Sequence, residues 1–402
     1  MKEIAKKVYF ERGHKNGAIY NLNDSNVYSV NEEACKIIQK LFCHSVLNDE
    51  EIRYVDKLRS LGLYVENFCS DNSNKINLIK ETFDTVWLEI TQACNMRCLH
   101  CYEGCTHIAA SSEERLSLEQ WKQIIDEITE LGAKRIVVIG GEPAIDKNIC
   151  EILTYLSEKK QDVTLFTNAS FTNENLKNII CNHKIRIKFS IYGHNAEIHD
   201  KITQHPGSFD LLISNISFFL EKNVDVSAAV VLMKENENFL YEIDHFLKNI
   251  GIKKIKFDVI REVFSGKQSE HLPVTPKVLN LRKIKEPYFT LSLEHFLLFN
   301  GKNTCWNRKL VISEDGTILP CVFARSEHVG NVKQQSLKMI LNSEKLRYYW
   351  NFSFDYVEKC KECEFKYACK DCRPLAMSVR GFISDKNPRC CYDPISGEWK
   401  NE

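Results

Sequence analysis

The stretch VWLEITQACNMRCLHCYEGC, residues 86–105, decides how the rest of the chain is read. It opens on VWLEIT, a continuous apolar run of the kind carried by a strand covered on both faces. It then places Cys94, Cys98, Cys101 and Cys105 within twelve residues. Four thiolates would close a zinc site or fully ligate one iron–sulfur cluster. Three would leave one iron of a cluster open, and an open iron can do chemistry. On spacing alone, a zinc knuckle completed by Cys105 or His100 stands as the alternative.

Five further apolar, β-branched runs follow: RIVVIG (135–140), DVTLFTN (162–168), IRIKFSIYG (185–193), DVSAAVVLM (225–233) and KIKFDVI (254–260). Helix-compatible stretches separate them. The clearest carries Leu118, Trp121, Ile125, Ile128 and Leu131 at helical spacing. Strands alternating with helices predict an α/β fold around a parallel sheet, and six units make a partial (β/α)6 TIM barrel. In such barrels chemistry sits at the C-terminal ends of the strands, where Cys94, Cys98 and Cys101 fall.

Residues 1–82 read as a small separate unit. NVYSV is a strand, residues 31–44 a helix with Ala34, Ile37, Ile38, Leu41 and Phe42 on one face, and a second helix, a break at Gly62 and a short strand follow. The pattern is that of a winged-helix domain, and SDNSNK at 70–75 is a linker. Lys plus Arg and Asp plus Glu are 12 each over residues 1–82, which argues against a nucleic-acid footprint. Residues 83–262 hold the partial barrel, 263–304 a bridging region with Pro273, Pro276 and Pro287, and 305–402 a Cys-rich domain of the kind that metal rather than apolar area holds together.

At 402 residues the chain is long enough for two or three domains and a sizeable core. Its 54 Lys plus Arg balance 54 Asp plus Glu, which leaves no global charge to draw nucleic acid or an acidic membrane. The N-terminus lacks an apolar signal region and no run is long enough to span a bilayer, so the expected location is cytoplasmic. In that reducing compartment the grouped cysteines point to metal rather than disulfides. Cys35, Cys43, Cys69, Cys105, Cys150 and Cys181 lie outside the groups and are expected to fill core positions.

Cys94-x3-Cys98-x2-Cys101 after a first strand, with GGEP at 140–143 after a second, resembles the radical S-adenosylmethionine (SAM) superfamily. The resemblance implies a [4Fe–4S] cluster on Cys94, Cys98 and Cys101. SAM would bind the fourth iron and be cleaved reductively to a 5′-deoxyadenosyl radical, using an external one-electron donor of flavodoxin or ferredoxin type. Cys105 would then lie outside the motif. Gly140, Gly141 and Glu142 would meet the methionyl amino group, and Asn168 and Ser190, at later strand ends, would add contacts to SAM. Thr203 stands where many relatives have Arg, and His100 replaces a common aromatic residue.

Cys305-x10-Gly316-x4-Cys321, Cys360-x2-Cys363-x5-Cys369-x2-Cys372 and Cys390 resemble the SPASM extension, which binds two auxiliary [4Fe–4S] clusters, three clusters in all. Paired C-x2-C also occurs in zinc ribbons, so zinc is the competing reading. By resemblance one auxiliary cluster takes Cys360, Cys363, Cys369 and Cys390 or Cys391, and the other Cys305, Cys321 and Cys372. The last two cysteines of the central run are separated by two residues where three are usual. No cysteine lies between Cys181 and Cys305 to complete the second set, so its cluster is expected to have an open iron.

The N-terminal unit resembles the PqqD-like precursor-recognition domain of enzymes that modify ribosomally made peptides, where a leader adds a strand to a sheet edge. Together these resemblances imply a peptide maturase that forms Cys thioethers of the sactipeptide or ranthipeptide type. The substrate cysteine would bind at the open auxiliary iron. Carbon–carbon or carbon–oxygen cross-linking, side-chain oxidation as in sulfatase maturation, and a non-catalytic zinc-dependent peptide-binding module are the alternatives.

Overall fold

A computed structural model describes residues 7–65, 67–69, 83–102, 104, 114–262, 269–284, 289–299, 302 and 305–400. The 70–75 linker and Cys105 lie outside the described residues. The chain divides into two compact units with interleaved segments. One takes Met1–Lys80, Lys283–Asn307 and Trp350–Glu402; the other takes Glu81–Arg282 and Arg308–Tyr349.

In the first unit, β1 (Val8–Arg12), β2 (Gly17–Asn21) and β3 (Asn26–Val30) form an antiparallel meander, followed by α1 (Glu32–Phe42), α2 (Asp49–Ser60) and β4 (Asn67–Phe68). The sheet order is β3-β2-β1-β4, with β4 parallel to β1. Both helices start where the sequence supplies a cap. The Asn31 side chain accepts from Ala34 N–H, and Asn48 with Glu51 forms a capping box.

Strand periodicity then splits the apolar side chains between two cores. Val8, Phe10 and Ile19 pack with Cys35 and Ile38 of α1 and Leu58 of α2. Tyr9, Ala18, Tyr20 and Leu22 face the other way and pack with Phe296, Phe365, Tyr367 and Tyr392. The sheet is therefore covered on its second side by the cysteine-bearing segment of its own unit. Tyr20 Oη donates to Glu364 O at 2.5 Å, and His14 N–H donates to Glu362 O at 2.8 Å.

The second unit is built on six parallel strands: β5 (Thr85–Glu89), β6 (Arg135–Ile139), β7 (Val163–Thr167), β8 (Arg186–Ile191), β9 (Val226–Leu232) and β10 (Lys254–Val259). Between them run α3 (Leu118–Glu130), α4 (Ile149–Glu158), α5 (Glu174–Asn182), α6 (Ala196–Thr203), α7 (Ser208–Glu221) and α8 (Leu240–Asn249). The six expected strands pair in sequence order. Those near the far edge alternate in burial: Ile187, Phe189 and Ile191 of β8 are buried, while Arg186, Lys188 and Ser190 between them are only partly so.

The sheet does not stop at β5. After α9 (Pro276–Arg282) and α10 (Leu293–Phe299, in the first unit), β11 (Lys309–Ile312) pairs parallel to β5, and β12 (Thr317–Leu319) and β13 (Gly330–Asn331) extend it antiparallel to nine strands. Part of the segment expected to be a separate Cys-rich domain thus completes the barrel sheet.

Of the ungrouped cysteines, Cys35 and Cys69 are buried as expected. Cys43 is exposed, because it follows α1 as its C-cap, and Cys150 and Cys181 are half-buried on α4 and α5. No helix among the described residues is long and apolar enough to cross a membrane. The barrel core rests on large side chains such as Trp121 of α3, which is 2% exposed. Trp121→Ala should cost about 3–5 kcal/mol, read as a lower urea midpoint for unfolding of this unit.

Candidate active site and cluster-binding cysteines

The loop after β5 begins where Glu89, fully buried, accepts both guanidinium nitrogens of Arg325 at 2.7 and 2.6 Å and a hydrogen bond from Ser313 Oγ at 3.0 Å. A buried carboxylate is tolerated when paired in this bidentate way. Further along, Arg115 ties the loops together. Its guanidinium donates to Ile90 O at 3.0 Å, pairs with Asp146, and stands 3.0 Å from Glu314. Glu314 in turn accepts from Gln92 N–H at 3.1 Å. Arg325 and Arg115 thus brace the segment that leads into the cysteine motif.

The motif itself is held by backbone contacts. Arg97 N–H and Leu99 N–H donate to the carbonyls of Thr203 and Ile202, each at 3.0 Å, and Cys101 N–H donates to Cys98 O at 3.1 Å. Met96 N–H points at Cys94 Sγ, 3.4 Å away. Among the described residues no three Cys, His, Asp or Glu side chains form a closed site for a single metal ion. The three motif thiols nonetheless share one neighbourhood. Burial pushes the Cys98 thiol up, and the Cys94 and Cys101 thiols push it further. All three likewise add to the burial that holds the Tyr192 hydroxyl protonated. A buried Cys98 thiol whose ionisation its two neighbours disfavour is suited to a polynuclear cation that takes all three as thiolates, and a [4Fe–4S] cluster on Cys94, Cys98 and Cys101 fits this set.

GGEP stands directly against this loop. Gly141 N–H donates to Thr91 O at 2.7 Å and Glu142 N–H to Ala93 O at 2.8 Å. A Cβ on Gly140 would lie 2.4 Å from Thr91 O, and one on Gly141 would lie 2.3 Å from Ala93 O. Only glycine permits that approach. The Glu142 side chain is fully buried and accepts from Ala144 N–H at 2.9 Å, Thr167 Oγ1 at 2.5 Å and Asn168 N–H at 2.6 Å. Burial outweighs these three donors and raises its pKa to about 7.

Asn168 faces the motif through a partner that sequence reading did not single out. Its amide donates to Asn95 Oδ1 at 2.8 Å, and Asn95 donates to Ser170 O at 3.2 Å. Asn95 sits inside the Cys94-x3-Cys98 spacer, where its polar side chain was the available signal. Ser190 stands half-buried on β8, and its side chain partly offsets the burial that raises the Tyr192 hydroxyl. The His100 ring meets Tyr192 edge-on at 4.6 Å, and Tyr192 stacks on His199 at 5.5 Å. Burial holds His100 and His199 at about 4, so both are neutral at pH 7. His199 Nδ1 accepts from Tyr192 N–H at 3.2 Å. Thr203 is fully buried with its hydroxyl 2.9 Å from Ser208 Oγ, turned to structural use.

In the first unit the central cysteine run forms tight turns. Cys363 N–H donates to Cys360 O and Cys369 N–H to Phe365 O, each at 3.0 Å. Burial raises all of these thiols, and they act on one another. Cys390 adds to the rise at Cys360, which reaches about 12, and at Cys363 and Cys369. Cys390 thus lies near the other three, and the Cys391 thiol acts on Cys390 in turn. Cys372 caps α13 (Arg373–Arg380), and Arg373 N–H donates to Cys305 Sγ at 3.4 Å, so Cys305 and Cys372 adjoin. Cys321 belongs to the other unit, after β12.

Comparison with known proteins agrees with this chemistry. Residues 88–247 match the Radical SAM superfamily, and residues 305–364 match SPASM, an iron–sulfur cluster-binding domain. The chain is 24% identical over 338 residues to an AdoMet-dependent heme synthase of Methanosarcina barkeri, spanning 76% of this chain and 95% of that one. It is 25% identical over 321 residues to the antilisterial bacteriocin subtilosin biosynthesis protein AlbA of Bacillus subtilis, spanning 75% of this chain and 68% of AlbA. In fold it is similar to SuiB of Streptococcus suis bound to S-adenosylmethionine, with a TM-score of 0.64 at 16% identity over 97% of this chain and 100% of SuiB.

The raised pKa of Glu142 has a measurable sign. The folded chain holds this proton more tightly than the unfolded one, so the associated stability is full at low pH and is lost as pH rises from about 4.5 through about 7. The loss is on the order of 3 kcal/mol. Glu142→Gln should flatten that slope in urea midpoints compared at pH 5 and 8. The chain carries a radical SAM domain and a SPASM iron–sulfur domain, and it is a radical SAM superfamily enzyme that uses S-adenosylmethionine.

Proposed function

We propose that this enzyme matures a ribosomally made precursor peptide by joining a cysteine sulfur to a carbon of the same peptide as a thioether. The observation that carries the reading is the N-terminal sheet. The likeness to SuiB runs over 97% of this chain, and SuiB has also been solved bound to its precursor peptide SuiA, at a TM-score of 0.62. In this chain β3 is the outer strand of that sheet. Among the described residues its outer side is bridged only at Asn26, by Thr290. An edge strand with unpaired backbone groups is what a leader peptide needs to add a strand of its own. This supports the winged-helix, PqqD-like reading of residues 1–82.

When bound, the motif cluster and SAM would supply the radical that takes a hydrogen atom from the peptide. The chain would do the rest. Cys94, Cys98 and Cys101 would hold the cluster, and GGEP, Asn168 and Ser190 would position SAM at the strand ends. Cys360, Cys363, Cys369 and Cys390 would hold one auxiliary cluster. Cys305, Cys321 and Cys372 would hold the other, where the sequence offers no fourth cysteine from the preceding segment. That unfilled position supports a substrate thiolate and hence a thioether. AlbA, a bacteriocin biosynthesis protein, supports a peptide substrate. The heme synthase relative favours a porphyrin substrate instead, against which the N-terminal sheet argues. An external one-electron donor of flavodoxin or ferredoxin type would start the reaction by supplying the electron that cleaves SAM; forming the S–C bond would then pass one electron to the auxiliary cluster and release the thiol proton.

The test is anaerobic turnover with SAM, a reductant and a candidate precursor. Each thioether removes two hydrogens, so the product should be about 2 Da lighter per link, with one cysteine per link blocked from alkylation. Cysteines that stay fully alkylable after turnover would exclude the thioether. Turnover of an iron-porphyrin in place of the peptide would favour the heme-synthase reading. Cys94→Ala, Cys98→Ala and Cys101→Ala should each reduce 5′-deoxyadenosine formation to background. Cys105→Ala should leave it within about twofold.

A further inference from the structure

Arg373 is fully buried, follows Cys372 and meets Cys305 Sγ through its backbone N–H. Its Nε pairs with Asp371, and its Nη1 donates to Ile383 O and Asp385 O, each at 2.9 Å. The Phe352 and Phe354 rings lie 5.7 and 5.9 Å from the guanidinium carbon. Three of its side-chain contacts are thus fixed, while Nη2 is buried with no hydrogen-bond partner among the described residues. A buried guanidinium N–H left unmade is costly and calls for a partner.

The residues next to it are candidate cluster ligands. Arg373 follows Cys372 directly and gives its backbone N–H to Cys305 Sγ at 3.4 Å. Burial is the largest influence and would weaken its charge; Asp371 and the Cys360 and Cys305 thiols together outweigh it. Arg373 therefore adjoins Cys305 and Cys372 of one set through its backbone, and its charge is felt with that of Cys360 of the other. The acceptors that such cysteines bring when loaded are thiolate and sulfide sulfurs.

We propose that Arg373 is a tuning residue for both auxiliary clusters: its fixed charge and its spare Nη2–H act on cluster sulfur, stabilise the reduced state and raise both reduction potentials. This rests on the reading that these cysteines hold iron–sulfur clusters. Potentials of such clusters follow net charge and hydrogen bonds to sulfur, so a buried cation between two of them moves both. Asp371 offsets part of that charge. Removing Asp371 should therefore shift the potentials the opposite way from removing Arg373.

The experiment is EPR-monitored redox titration of the full chain carrying C94A, C98A and C101A, so that only the auxiliary clusters report. Arg373→Met should lower both midpoints, each by a tenfold change in the reduction equilibrium, about 59 mV, and a shift confined to one cluster would overturn the shared role. Arg373→Lys should fall by less, and Asp371→Asn should rise. If Arg373→Met fails to retain iron, the Lys and Asn variants decide by the same two shifts. Midpoints within about twofold of the parent in every variant that retains iron, with the clusters intact, would overturn the role of Arg373 and leave the cluster reading standing. Zinc in place of iron in the parent would overturn both.

Discussion

Two carbonyl oxygens fill the space where side chains on residues 140 and 141 would stand. Thr91 and Ala93, in the loop after β5, press against GGEP at the end of β6, and their backbone hydrogen bonds leave no room for a Cβ. The contact sets the entry of the cysteine loop, and the rest of the mouth is arranged around it. Glu142 turns down to Thr167 and Asn168 at the end of β7, and Asn168 reaches back to Asn95 inside the motif. Three successive strand ends are thus tied to one loop by backbone and short polar side chains, which suits a site whose ligands must hold a cofactor in one geometry.

Much of this was legible in the chain. The six apolar runs pair as parallel strands in the order in which they occur, because each is locally a strand and each intervening segment locally a helix. The motif cysteines and GGEP fall at the C-terminal ends of neighbouring strands, as the barrel rule predicts. The attachment of β11 to β5 was not legible, since it pairs residues more than two hundred positions apart and no local period announces it. For the same reason the Arg325 and Arg115 braces, which join β5 and its loop to partners far along the chain, were invisible to pattern reading.

The interleaving of the units has the same origin. β1 and β2, which carry Tyr9 and Tyr20, were not singled out in the sequence, and what these residues face could not be read from it. They share a core with Phe365 and Tyr367, inside the run that carries Cys363 and Cys369. In the proposed function, the sheet that recognises the leader and the thiols that hold an auxiliary cluster belong to one compact unit. Spacing alone did not tell Cys390 from Cys391; in the fold the Cys390 thiol acts on Cys360, Cys363 and Cys369, and Cys391 acts on Cys390.

The central claim is that the grouped thiols are held for iron and sulfide rather than for zinc or for packing. Metal and acid-labile sulfide analysis of anaerobically prepared protein tests it most directly. Three [4Fe–4S] clusters correspond to about twelve iron and about twelve sulfide per chain. Stoichiometric zinc with little iron or sulfide would contradict the account.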